Sequence, residues 1–583
     1  MSSHGWHNLI VASGVWATGL APAARGQFPP VFNLADLDGT NGFALYGVAE
    51  PDFTGDAVSA AGDVKADGVA ELIVGAPGPL FVDPFPPGYA YVVFGCQGLG
   101  GGGALDLLDL DGSNGFVIPG LNMLDSLGVS LSPLSDFNSD GIGDFLVGAY
   151  RADPLGRSNA GETYVIYGAE GLGASGTLSP GSLNGTNGFR IAGARPLDGS
   201  GFPVGTPPDF NEDGWPDIVL GAAWADPHGS ATGQVYVVYG GPGVGSSGLF
   251  DLAMLDGTNG LTINGIATDD WAGVCAGLGD FNGDGIDDIG IGAYYASPGG
   301  LYRAGQAYVV YGQAQLTQAV LELADLDGTN GFAINGRLWE EKVGIRVSSA
   351  GDLNDDGYKD LVISSSNEAG SVYVVFGGPA VGPTGELNLS ALDGSNGFRV
   401  PYAWVGEPPG VGGIGDLNGD GIDDLAIGDF LGPNSTQRVA VIYGRSNVGQ
   451  TGVFDINSLD GSNGFIIAGF FAWGRTGSAV AGAGDVNDDG LNDLIIGEPV
   501  GAPPGRPSTT GMAYVIFGRD TGDPADFDDD GDVDLNDFII FQLCFVGSNN
   551  PRAPGCARPD LDRDGDVDLA DFLIFQQNFT GSE

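Results

Sequence analysis

Six stretches of this 583-residue chain place oxygen-bearing side chains at alternate positions of a short loop. They are Asp136, Asn138, Asp140 and Asp144; Asp209, Asn211, Asp213 and Asp217; Asp280, Asn282, Asp284 and Asp288; Asp352, Asn354, Asp356 and Asp360; Asp416, Asn418, Asp420 and Asp424; and Asp485, Asn487, Asp489 and Asp493. A glycine follows the third member of each set (Gly141, Gly214, Gly285, Gly357, Gly421, Gly490) and permits a sharp bend. Ligands at alternate positions of a bent loop converge on one point. Three carboxylates and a carboxamide, without Cys or His, select a hard cation, and the ligand number and flexible loop suit Ca2+ better than Mg2+. Without an ion, carboxylates about 4 Å apart repel one another. A single copy reads equally well as a solvated acidic turn; six copies in one register read as metal sites. A seventh copy, Asp63, Lys65, Asp67 and Glu71, puts an ammonium where the others have Asn. It is expected to bind Ca2+ weakly or not at all, the lysine substituting for the ion.

Two longer acidic loops lie near the C-terminus. Asp526, Asp528, Asp530, Asp534 and Asp537 recur 34 residues later as Asp560, Asp562, Asp564, Asp568 and Asp571. This is the twelve-residue Ca2+ loop of EF-hand type, with Asp in place of the final Glu. Each loop runs into a segment with helical apolar spacing, 535–545 and 569–579. No incoming helix precedes either loop. About six Ca2+ ions are therefore expected between residues 27 and 519, and two beyond them.

The elements that position the first set are repeats. The acidic loops begin at Asp63, Asp136, Asp209, Asp280, Asp352, Asp416 and Asp485, with spacings of 73, 73, 71, 72, 64 and 69. A Leu-Asp-Gly-Ser/Thr-Asn-Gly-Phe turn and a Tyr-Val-Val-Tyr-Gly-like run also each occur seven times. The runs after the acidic loops are apolar and too short for helices, and the Tyr-Val-Val runs are β-branched and aromatic. About four short strands per unit predict a propeller with one blade per repeat; a solenoid would need distinct capping repeats. The last unit lacks a strand after Gly518, and the first has a surplus one, Phe43–Tyr46. That strand is expected to pair with Tyr514–Phe517 and close the ring. The fold class is thus all-β, a seven-bladed β-propeller over 27–519, followed by a small α-helical module of paired Ca2+ loops over 520–583.

The text Gly-Asp-Phe-Asn-x-Asp-Gly-x-x-Asp followed by an apolar strand and Gly-Ala, as in 279–293, resembles the FG-GAP repeats of the integrin α-chain propeller. The resemblance covers about 30–519. It implies that the residue after each loop glycine (Ile142, Trp215, Ile286, Tyr358, Ile422, Leu491) gives the ion a backbone carbonyl. It also implies that the Ca2+ loops join the first two strands of each blade on one face, with partner binding on the other. Trp271, Trp339, Trp404 and Trp473 fall in inter-blade loops and Trp224 in a strand-two-to-three loop. These rings suit protein or sugar contacts, or else they plug the gaps between blades. The C-terminal pair of loop–helix units resembles a type I dockerin, a Ca2+-dependent module that docks onto cohesin domains. The resemblance places partner choice at Leu535, Asn536, Leu569 and Ala570, which differ from the Ser/Thr pairs of cellulosomal dockerins. A Ca2+-stabilised terminal cap without a partner is the plainer alternative.

Lys+Arg number 20 and Asp+Glu 74, a net charge of −54. This excludes a basic face for nucleic acid or anionic lipid. Residues 1–26 carry an apolar run and a small-x-small site (Ala21-Pro22-Ala23), which reads as a secretory signal peptide. No apolar run is long enough for a membrane span, so a secreted or cell-surface location is expected. The three histidines are His4, His7 and His228, so chemistry needing a histidine pair is excluded once the leader is removed. Cys544 and Cys556 are spaced for a local disulfide, whereas Cys96 and Cys275 are expected to be free. The leading functional reading is an exported Ca2+-binding scaffold for adhesion or for protein or carbohydrate recognition, docked to a cohesin-like partner by its tail. A dockerin-borne polysaccharide-active enzyme and a structural cell-surface component are the alternatives. No catalytic residue is assigned, because nearly all paired carboxylates belong to metal loops.

Overall fold

The computed structural model describes residues 27–79, 86–206, 209–314, 316–366, 370–402, 408–431, 436–472, 474–507, 509–520, 535–548 and 566–579, with scattered residues from 525 to 561. The leader, Trp404, Trp473 and the loop residues Asp526, Asp528, Asp530, Asp534, Asp562 and Asp564 lie outside the described residues.

Seven sheets, each built on four antiparallel strands, form seven blades. In blade 1 the strands run Ala57–Gly62, Glu71–Ala76, Tyr89–Val93 and Gly115–Pro119, from inside outward. The inner strands contact one another around the ring: Ala57–Gly62 touches both Ser130–Leu134 of blade 2 and Val480–Gly484 of blade 7. Every second strand is buried along its described length, as its unbroken apolar text requires. The hydrophobic core lies between blades. One cluster joins Ile73, Val92 and Phe116 of blade 1 to Phe145, Val147 and Tyr164 of blade 2. A blade therefore cannot bury its faces alone.

Closure follows the expected route. Gly42–Tyr46 pairs antiparallel with Met512–Ile516, Phe43 opposite Val515 and Leu45 opposite Ala513. A second N-terminal strand, Val31–Asn33, pairs in parallel with Ile466–Ala468 of blade 6. It was not anticipated. The same short parallel strand recurs on the outer edge of blades 2, 3, 4 and 7, always supplied by the following repeat, and shrinks to single bridges in blades 1 and 5. The blades thus carry a fifth edge strand beyond the four expected. It covers an edge that would otherwise present unpaired backbone groups.

The Leu-Asp-Gly-Thr-Asn-Gly turns are self-sufficient. In the first, Asp38 Oδ1 accepts from the Thr40 N–H and hydroxyl, and Asn41 Oδ1 accepts from the Asp38 N–H. The final glycine, Gly42, has φ +134°, and a Cβ there would lie 2.1 Å from the Val515 carbonyl oxygen. A side chain would force the outer strand off its neighbour.

At the C-terminus two helices, Leu535–Cys544 and Leu569–Asn578, pack a core of Phe527, Phe541, Phe575 and Val567. Cys544 and Cys556 are joined by a disulfide; Cys96 and Cys275 are free. Among the described residues no helix is long and apolar enough to cross a membrane.

Candidate functional site

Each propeller acidic loop links the inner strand of its blade to the second strand, so all seven lie on one face. The six intact copies share one hydrogen-bond pattern. The first Asp wraps the loop: Asp136 accepts from the Asp140 and Gly141 N–H groups at 3.0 and 2.7 Å. The Asn138 amide donates to Asp140 at 3.0 Å, and Asp140 Oδ1 accepts from the Ile142 N–H. Asp144 begins the second strand and is fully buried. Its Oδ2 accepts from the Phe137 N–H at 2.9 Å and its Oδ1 from the Gly168 N–H, beyond the third strand, at 2.8 Å. Asp217, Asp288, Asp360, Asp424 and Asp493 make the equivalent pair of bonds. The last Asp is therefore a structural bridge as well as a candidate ligand, which spacing alone did not show. Each of its oxygens retains a further lone pair.

Burial pushes the Asp144 carboxyl up to about 7, and the nearby charges of Asp140 and Asp136 add to that rise. Asp217, Asp288 and Asp360 are pushed to about 8 by the same causes. Burial drives Asp424 and Asp493 well above the carboxylate range. These loops therefore gain from any cation that neutralises them. Blade 1 supplies one from its own chain. Lys65 Nζ lies 2.6 Å from Asp67 and 3.5 Å from the buried Glu71, with Phe94 beneath it at 4.4 Å. An ammonium thus stands among the ligand positions of the one loop that lacks Asn. The other six offer an all-oxygen donor set of the same sign without a lysine, a set that fits Ca2+. Their carboxylates turn toward backbone N–H groups. Among the described residues, three carboxylates with oxygens all within 4.8 Å of one another occur only at Asp566, Asp568 and Asp571, in the second C-terminal loop.

The loop face is stitched from blade to blade. The Gly143, Ala70, Asp287, Lys359 and Asn492 N–H groups donate to the carbonyls of Asp63, Asp485, Asp209, Asp280 and Asp416 of the preceding blades. A second stitch joins Cys96 to Val486, Ala169 to Val64, Gln313 to Phe210, Gly378 to Phe281, Arg445 to Leu353 and Arg519 to Leu417.

The opposite face carries rings. Trp224 stacks on Tyr150 at 5.4 Å and meets Trp271 edge-on at 6.1 Å; Trp271 meets Tyr295 at 5.1 Å. Tyr302 and Trp339 pair at 5.7 Å, and both are exposed. Trp224 and Trp271 are half-buried, so they fill space between blades and still present an edge to solvent. His228 does not stand alone in its loop: its Nε2 lies 2.8 Å from Glu322 Oε2.

Sequence reading missed a second acidic series on this face. Asp52, Asp125, Asp198, Asp270 and Glu341 are all buried and recur at the repeat spacing, 73, 73, 72 and 71 residues apart. That spacing was the available signal. Asp52, Asp125 and Asp270 each accept from the N–H three residues upstream, closing the loop that enters the inner strand. They are turn-closing groups.

In the C-terminal module, Asp537 is buried and accepts from the Phe527 N–H, while Asp568 caps the second helix through the Ala570 N–H with Asp571 completing the box. Leu535, Asn536, Leu569 and Ala570 are exposed. The apolar stripe divides in two. The phenylalanines (Phe541, Phe575) face the core, whereas Leu535, Ile539, Leu543, Leu569 and Leu573 face outward.

The FG-GAP repeat family profile matches residues 127–166, 204–238, 276–310 and 344–375, which fall on blades 2 to 5. Integrin alpha-PS2 of Drosophila melanogaster is 27% identical over 248 residues, 41% of this chain and 17% of that protein. Phosphatidylinositol-glycan-specific phospholipase D of Homo sapiens is 24% identical over 310 residues, 51% of this chain and 34% of that protein. Integrin alpha-5 of Xenopus laevis is 34% identical over 108 residues, 18% of this chain and 10% of that protein. The matched segments span about a third or less of these relatives. The seven sheets make a seven-bladed β-propeller, and four of its blades match the FG-GAP repeat.

Proposed function

We propose that this chain is an exported recognition scaffold. Its acidic loops bind Ca2+ and brace one face of the ring; the opposite face meets a protein or glycan partner. The observation that carries this reading is the division of labour between the faces. One holds repeated, inward-bonded carboxylates, and the other holds exposed apolar and aromatic side chains. Similarity to integrin alpha chains agrees with an adhesion or recognition role at the cell surface or beyond it. The tail is read as a dockerin-like module that takes a cohesin-like partner in the presence of Ca2+. Exposed Leu535, Ile539 and Leu543 on one helix, and Leu569 and Leu573 on the other, support a docking role over a mere cap. The test uses the full chain on immobilised type I cohesin. Retention in Ca2+ and release in EGTA are expected; equal behaviour in both rejects the docking role.

A further inference from the structure

We propose that Asn184 is a spontaneous modification site: the Gly185 backbone nitrogen displaces its side-chain amide, and water opens the resulting cyclic imide to aspartate or isoaspartate.

Twelve Asn-Gly pairs occur in the chain. In eleven of them the carboxamide is bonded at both ends. At Asn187, in the same turn as Asn184, Oδ1 accepts from the Asn184 N–H at 3.0 Å and Nδ2 donates to the Ser182 carbonyl at 3.3 Å. The outer strand of blade 2 begins at Gly188, so attack on Asn187 would break both bonds and lift that strand.

Asn184 differs. It is exposed, and among the described residues its Nδ2 makes no hydrogen bond. Its Oδ1 accepts two, from the Thr186 N–H at 3.0 Å and the Thr186 hydroxyl at 2.7 Å. An Asn that accepts from the N–H two residues on is folded over the peptide between them. The nitrogen of that peptide belongs to Gly185, and glycine puts no Cβ in the way. The two donors on Oδ1 polarise Cγ and stand where the oxyanion of an attack develops. Nucleophile, activated carbonyl and solvent-facing leaving group thus meet at one residue.

The Gly185 N–H, bonded to the Gly188 carbonyl at 2.8 Å, gives its proton to a solvent base. Its nitrogen bonds to Cγ, the Cγ–Nδ2 bond breaks, and the amide leaves as ammonia after taking a proton from water. Water then adds to the imide. Cleavage at Cγ gives aspartate at position 184; cleavage at the backbone carbonyl gives isoaspartate, whose main chain is longer by one methylene.

The turn accepts the first product. The other six copies carry aspartate at this position (Asp38, Asp111, Asp256, Asp327, Asp393 and Asp460), each accepting the same two bonds from a Thr or Ser two residues on. Conversion to aspartate therefore supplies the residue of the other repeats and adds one negative charge. The isoaspartate does not fit. Gly185 sits at φ +91°, and a Cβ there would lie 2.2 Å from the Ser246 carbonyl oxygen, so a lengthened main chain has no room.

The test incubates the full chain in mildly alkaline buffer and follows each asparagine by peptide mapping, with isoaspartate read by methyltransferase labelling. Asn184 is expected to convert at least about tenfold faster than Asn187 in the folded chain, and the two at like rates in urea. Thr186→Val keeps the N–H donor and loses the hydroxyl; it is expected to slow Asn184 at least about threefold while Tm stays level. Asn184→Asp is expected to keep the parent Tm and to co-elute on anion exchange with the aspartate form of the aged chain. Equal rates at Asn184 and Asn187 in the folded chain overturn the proposal. A preference for Asn184 that persists in urea overturns it as well, because it would then belong to the flanking residues and not to the turn. So does a Thr186→Val chain that converts at the parent rate.

Discussion

At the scale of single residues, the lysine of blade 1 is the informative exception. Lys65 neutralises Asp67 and the fully buried Glu71. Lys65→Ala leaves that carboxylate without its cation and is expected to cost about 1–3 kcal/mol in urea unfolding. Lys65→Asn combined with Glu71→Asp recreates the pattern of the other six loops, and calorimetric titration is expected to show one additional Ca2+ per chain. An unchanged stoichiometry would mean that the loop text is insufficient to make a site. Glu498 offers a pH test away from the acidic loops. It is buried at the far end of the second strand of blade 7, bonded to the Tyr514 and Thr476 hydroxyls, and burial raises its carboxyl to about 7 from an ordinary 4.5. The folded state then holds more protons than the unfolded state between those values. This contribution to stability is fully present below pH 4.5 and falls as pH rises toward 7. Glu498→Gln keeps an acceptor and loses the charge. Its urea midpoint is expected to exceed that of the parent at pH 8 and to match it at pH 4.

At the scale of elements, the N-terminal segment belongs to two blades at once. Val31–Asn33 edges blade 6 and Gly42–Tyr46 completes blade 7. Deleting 30–47 is expected to lower the melting temperature of the whole ring in a single transition, as read by calorimetry; a truncated chain with the parent Tm would contradict closure. The strand at 42–46 was legible because the first repeat had one strand too many and the last one too few. The parallel edge strands were not legible. Three residues before a turn carry too little periodicity to be read as a strand, and their partner lies in another repeat. The two helices show the same limit. Spacing revealed amphipathic segments, but Phe541 and Leu543 are both apolar, and only packing sends one inward and the other to solvent.

At the scale of the whole molecule, the ring is not uniform. Both backbone stitches are missing, among the described residues, only between blades 2 and 3, where the Thr206 hydroxyl donates to the Pro133 carbonyl instead. There Pro216 stands where five of the other loops donate an N–H, and no bond joins the Gly241 N–H to Phe137 among those between described residues. Native-state hydrogen exchange is expected to be faster at Gly241 than at its counterparts Ala169, Gln313 and Gly378, whose amides are bonded across their seams. Ca2+ bound in the loops as proposed would act on the ring as a whole. An ion bound only by the folded state adds RT ln(1 + [L]/Kd), about 2.7 kcal/mol per site at a hundredfold excess over Kd. Chelation is thus expected to lower the melting temperature by many degrees. An EGTA-treated sample that melts with the untreated one would remove the basis for the acidic loops as metal sites.

The repeat count, the blade, the ring closure and the placement of the acidic loops were legible in the residues alone. Each of these is periodic or local, and seven near-copies make a local pattern legible. Only the tertiary structure decided how those copies serve one another. It turned the last loop aspartate into a bridge to the third strand, stitched neighbouring loops through backbone groups, and gathered Tyr150, Trp224, Trp271 and Tyr295 from separate repeats into one strip. Such contacts join residues about seventy positions apart through backbone atoms and ring faces, and those leave no signature in residue type or spacing.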